Sequence, residues 1–82
     1  MIVVMADDLA GAAEMGGMAW RHGLAAEIQL ALEPSTDVDL VVVDTDTRSC
    51  TPQDAARRVR GVAERCRERA IDRVYKKVDS VL

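Results

Sequence analysis

The stretch that most constrains this chain is Ile2-Val3-Val4-Met5, followed at once by Asp7-Asp8 and then by Leu9-Ala10-Gly11-Ala12-Ala13. Consecutive apolar residues leave no polar face, so the first segment reads as a strand covered on both sides, as in parallel sheets. The small residues after the acidic pair suit a helix. Strand, acidic turn, helix is an order that places Asp7 and Asp8 at the carboxyl end of a strand. Open α/β sheets bind their ligands there.

The first helix is expected over 9–22, with Asp7 or Asp8 as N-cap and Gly23 as a left-handed stop. Gly16 and Gly17 each cost such a helix roughly 1 kcal/mol against Ala. Close helix–sheet approach offers the compensation, and Met15 and Trp20 read as core or subunit contacts. Residues 25–32 alternate weakly and predict a second strand, and 33–37 form a loop. Asp39-Leu40-Val41-Val42-Val43-Asp44 reads as a central parallel strand. The connection before it is short for a parallel crossover, which usually takes a dozen or more residues.

A second helix starts with Thr51 as N-cap, Pro52 at the first helical position and Asp54 in the first turn. Ala55, Val59, Val62, Ala63, Cys66 and Ala70 make its apolar stripe. Arg57, Arg58, Glu64, Arg65, Arg67 and Glu68 make a solvated face. Residues 72–78 predict a fourth strand. The fold class is therefore α/β: a small, mostly parallel sheet of about four strands with two main helices, in the order β-α-β-β-α-β. This is an incomplete Rossmann-like domain.

Eighty-two residues allow one small domain. Such a chain buries only about 60–65% of the surface exposed on unfolding. Its apolar residues are mainly Ala, Val, Leu and Met, with no Phe. Thin side chains and small size together call for a second copy or for more of the domain, so a homo-oligomer is expected. A net charge of −3 gives no electrostatic basis for binding nucleic acid or an anionic membrane. There is no apolar run long enough to span a bilayer, and the N-terminus lacks the pattern of a signal peptide. Cys50 and Cys66 stand in no metal-ligand spacing and read as reduced thiols, which points to the cytoplasm. His22, beside Gly23, is expected to meet the last carbonyls of the first helix.

If strands one, three and four are parallel neighbours, Asp7/Asp8, Asp44/Asp46/Arg48 and Lys76/Lys77/Asp79/Ser80 meet at one edge. Carboxylates accept bonds from sugar hydroxyls, Arg48 can grip a carboxylate through two parallel bonds, and lysine adds a point charge. A small polyhydroxy acid fits that mixture. No residue among them is assigned as the catalytic base. Two other site types share parts of the pattern. Phosphoacceptor domains combine an acidic pair, a later Asp and a Lys around Mg²⁺. Asp44-x-Asp46 evokes the nucleophile loop of haloacid-dehalogenase-type phosphatases, although Arg48 departs from it. Gly11 and Gly16 have P-loop spacing, but Gly17 and Met18 occupy the Lys-[Ser/Thr] positions, and GxGxxG is absent. A self-associating structural or regulatory module is the further alternative.

Three motifs carry a family likeness. Ala6-Asp7-Asp8-Leu9-Ala10-Gly11-Ala12, Asp44-Thr45-Asp46-Thr47-Arg48-Ser49 and Tyr75-Lys76-Lys77-Val78-Asp79-Ser80 resemble the N-terminal domain of the four-carbon acid sugar kinases. The likeness covers essentially the whole chain. It implies an ATP- and Mg-dependent phosphorylation of threonate-, erythronate- or oxo-tetronate-like acids. In that family the N-terminal domain holds the sugar, and a separate C-terminal domain holds the nucleotide. The implied substrate-binding residues are Asp7, Asp8, Arg48, Lys77, Asp79 and Ser80, with no metal ligand. Ala10 and Val81 stand where the family usually has Thr. The Arg-Gly-Asn that normally follows, and the ATP-binding domain, are not in these 82 residues. The resemblance thus implies a truncated N-terminal piece that binds no cofactor and is inactive alone.

Overall fold

The computed structural model describes residues 1–33, 38–71 and 73–76. Its elements are β1 (Ile2–Ala6), α1 (Leu9–Arg21), β2 (Ala26–Gln29), β3 (Leu40–Asp44), α2 (Pro52–Glu68) and β4 (Arg73–Lys76). The strands form one sheet in the order β2-β3-β1-β4, and each neighbouring pair is parallel. In register, Ile2 lies opposite Leu40 and Arg73, and Met5 opposite Val43 and Lys76. The expected adjacency of the first, third and fourth strands is present.

Successive strand residues face opposite sides of a sheet. On one side Val4, Ala6 and Val42 pack with Ala12 and Ala19 of α1. On the other, Val3, Val41 and Val43 pack with Cys66 of α2. The two layers follow from connectivity. The chain crosses from β1 to β2 in one direction and from β3 to β4 in the other. Crossovers of one hand then deliver the two helices to opposite faces.

The short connection from β2 to β3 is a parallel crossover after all. Leu32, fully buried in the core on the α2 side, covers the sheet where a helix would otherwise be needed. The Gln29 amide donates to the Glu33 carbonyl at 2.8 Å and accepts its N–H at 2.7 Å, which holds the exit from β2. Entry to β3 is tied to Ala25, whose carbonyl accepts the N–H groups of Asp39 and Leu40.

Asp8 caps α1, accepting the Gly11 N–H at 2.7 Å. The helix ends at Arg21, one residue before the expected boundary, with His22 as C-cap and Gly23 at φ +76°. The His22 ring lies 2.9 Å from the Met18 carbonyl, as the sequence predicted. Of the two mid-helix glycines only Gly16 serves close packing: a Cβ there would stand 3.4 Å from the Ile28 side chain, whereas one on Gly17 would meet nothing within 4 Å. Met15 packs on the core, but Trp20 is 77% exposed. Ala19 takes the inward position, and Trp20 lies 100° further round the helix.

In α2, Thr51 accepts the Asp54 N–H and Pro52 begins the helix. Cys66 is its buried residue, and burial pushes that thiol's pKa up. Ala70, expected in the stripe, instead lies past the helix at φ +55°. There the Ile71 N–H donates to the Cys66 carbonyl and the Ala70 N–H to that of Arg67. This is the Schellman stop, a position that favours glycine. Among the described residues no helix is long and apolar enough to cross a membrane.

Two substitutions of opposite sense should therefore both stabilise the fold. Gly17→Ala adds helix propensity in open space, and Ala70→Gly relieves a left-handed alanine. Each is expected to add about 0.5–1 kcal/mol to the urea unfolding free energy; a loss in either would contradict the local assignment.

Candidate functional site

The chain leaves β1 towards α1 on one face and leaves the adjacent β3 towards α2 on the other. Where neighbouring parallel strands part in this way, a crevice opens at their carboxyl tips. The turn after β1 brings Asp7 and Asp8 to it, and the loop after β3 brings Thr45, Asp46, Thr47 and Arg48.

That loop is tied to the end of β1. The Thr45 N–H and hydroxyl both donate to the Ala6 carbonyl, at 2.8 and 3.0 Å. The N–H groups of Thr47 and Arg48 donate to the Asp7 carbonyl at 2.9 and 3.2 Å. The Thr45 and Thr47 hydroxyls share a bond of 2.8 Å. The buried Asp44 carboxylate accepts the Asp46 N–H at 2.9 Å, and this turn supports the left-handed Asp46 (φ +52°). From α2, Arg58 donates to the carbonyls of Thr45 and Asp46, both at 3.2 Å. Arg58, placed on the solvated face by its spacing, is thus a clamp. No buried side-chain polar atom among the described residues is left without a partner.

Asp8 does two things at once. One carboxylate oxygen caps α1, and the other accepts from Arg48 Nη1 at 2.5 Å. The Arg48 side chain is 63% exposed, so the ion pair contributes at most about 1 kcal/mol. Its main effect is to set the direction of the guanidinium.

On the α2 side of this edge lies a cleft of about 580 Å³, within the size range of small-molecule sites. Asp7, Thr47, Arg48 and Lys76 supply its polar wall; Pro52, Ala55, Ala56 and Val59 supply an apolar one, with Arg60 at its border. Ala55 and Val59 belong to the apolar stripe of α2 yet stay half-buried, because the helix is fully buried only near Cys66. Among the described residues the cleft thus has three cationic side chains against one carboxylate, in a chain whose net charge is negative. A smaller hollow of about 300 Å³ near Leu32 and Arg65 has no carboxylate among its described lining residues.

Asp7, Asp8 and Arg48 therefore come together as the spacing predicted. Lys77, Asp79 and Ser80 lie outside the described residues. Asp44, drawn into the expected constellation, is committed to the loop. Thr47 and Arg60 were not foreseen as lining residues. Arg60 had a faint signal, since it flanks Val59 and Ala56 at the border of the apolar stripe. Among the described residues no three His, Cys, Asp or Glu side chains are grouped to hold a metal ion.

The chain matches the family model described as "Sugar-binding N-terminal domain" over residues 2–82. It is 35% identical over 88 residues to a D-threonate kinase of Bordetella bronchiseptica, an alignment that takes in 99% of this chain and 22% of that protein. The chain thus spans about a fifth of the length of this curated relative. No solved structure matches.

The double duty of Asp8 can be separated by two substitutions. Asp8→Ala should cost about 1–2 kcal/mol through loss of the cap, and Asp8→Asn under about 1 kcal/mol because an amide still caps. Urea unfolding of both checks this; equal losses would show that the cap carries little.

Proposed function

Since the chain belongs to the sugar-binding N-terminal domain family of the four-carbon acid sugar kinases, we propose that the cleft beside Asp7 and Arg48 binds a four-carbon aldonic acid of the threonate type. The observation that carries this reading is the convergence of Asp7, Arg48 and Lys76, from three different segments, on one cleft.

Asp7 is half-buried, and its carboxylate has no hydrogen-bond partner among the described residues. In this role it accepts bonds from the sugar hydroxyls. Arg48 is held by Asp8 at the mouth of the crevice and faces the acid's carboxylate. A guanidinium suits that group because two N–H donors match two oxygens. Lys77, Asp79 and Ser80, which follow β4 in the sequence, are proposed to complete the substrate contacts.

Phosphoryl transfer in such a kinase takes its phosphoryl group from ATP and uses Mg²⁺ to offset the phosphate charge. The described residues do not fit the nucleotide. The start of α1, where a phosphate would find free amides, is filled by the Asp8 carboxylate. In this reading the chain supplies the acid-sugar half of the reaction, and ATP belongs to a separate domain. The chain by itself is then a binding unit and not a complete kinase.

Calorimetry with threonate and erythronate tests the reading on the full chain. Saturable heat is expected with at least one of them. Arg48→Ala should weaken that binding about 10- to 100-fold, with circular dichroism unchanged, as befits a lost charge-assisted bond. A folded sample giving no heat with any four-carbon acid would overturn it.

A further inference from the structure

Among the described residues, the positive excess of the cleft rests partly on a helix residue that no motif identifies. Of the described residues that line the cleft or bond to its lining, Arg48 is matched by Asp8, and Asp7 adds a further negative charge. Those three residues alone leave an excess of one negative charge, which repels a carboxylate. Among the described residues, Arg60 and Lys76 together reverse that sign. Neither has a hydrogen-bond or ion-pair partner among the described residues. Asp54, the nearest carboxylate towards the start of α2, is within ion-pair distance of Arg57 instead, at 3.7 Å.

Arg60 and Lys76 are not equivalent. A lysine ammonium is a compact, strongly hydrated point charge, whereas guanidinium is planar, more weakly hydrated and able to pair with both oxygens of a carboxylate. Arg60 also borders the apolar wall made by Ala56 and Val59. Low-dielectric walls focus the field of a charge into a cleft.

We infer that Arg60 is a specificity-determining residue of this site: it makes the cleft select a carboxylate-bearing four-carbon sugar over the uncharged polyol of the same length. The inference rests on the acid-sugar reading above and sharpens it. Arg48, balanced by Asp8, orients the ligand at the crevice; Arg60 supplies the uncompensated charge that distinguishes acid from alcohol.

Arg60 is exposed and its side chain bonds to no other described residue, so its replacement should leave the fold intact. The experiment compares wild type, Arg60→Gln and Arg60→Lys, each with threonate and erythronate and with their polyols threitol and erythritol. Circular dichroism and urea midpoints monitor the fold. Arg60→Gln is expected to weaken acid binding tenfold or more and to leave the weaker polyol binding within about twofold. Arg60→Lys should recover most of the loss. The inference is overturned if Arg60→Gln binds the acid as wild type does while Arg48→Ala does not, a result that leaves the acid-sugar reading standing. It is also overturned if acid and polyol weaken together, which marks a structural role. A folded wild-type chain that binds neither acid removes the acid-sugar reading itself, and this inference with it.

Discussion

Pairing of β1 with β3 determines where Asp7, Asp8 and the loop carrying Thr47 and Arg48 can stand. Five residues of each strand lie in parallel register. Both strands are buried on both faces, so neither can slip by a residue without moving apolar side chains from one core to the other. The pairing also extends beyond the strands, because Thr45, Thr47 and Arg48 continue to bond the carbonyls of Ala6 and Asp7. The loop after β3 is therefore laid across the tip of β1. Because their exits diverge to opposite faces, the same two strands that make the core also make the crevice.

Most of the polar groups at that edge are spent on holding the edge together. Asp44, Thr45, Thr47 and Arg58 satisfy the loop, and half of Asp8 satisfies α1. What remains for a ligand among the described cleft-lining residues is a short set: Asp7, Lys76, Arg60 and an Arg48 already aimed by its partner. A fixed, mostly satisfied frame with a few remaining charged groups is the arrangement expected of a preformed site for a small anion. The apolar floor of Ala55 and Val59 exists because α2 packs on the sheet through its far half, around Val62 and Cys66.

What the sequence revealed and what it hid divide along a physical line. Apolar runs such as Val41-Val42-Val43 announce buried strands, and Thr51-Pro52 with Asp54 announces a helix start, because these depend on neighbours in the chain. The meeting of Asp7 with Arg48 was legible for a related reason, since parallel strands bring their carboxyl tips to one rim. Arg58 could not be told apart from the other arginines of α2, and Arg60 only faintly by its place beside Val59, because their roles depend on how the helix is set against a distant loop. Gly16 and Gly17 look alike in sequence, yet only one faces Ile28. Trp20 reads as a core or subunit contact, and a rotation of 100° from Ala19 leaves it outside this chain's core. Ala70 continues the stripe by spacing, but the chain reverses hand there to end the helix.

Backbone amide shift mapping by NMR during a threonate or erythronate titration addresses the strand-tip arrangement most directly. If the crevice between β1 and β3 is the site, the largest changes fall on Asp7, Asp8, Thr47, Arg48, Arg60 and Lys76, with Ile2, Leu40 and Arg73 at the opposite rim unmoved. Changes centred on that opposite rim, with the crevice amides silent, would contradict it.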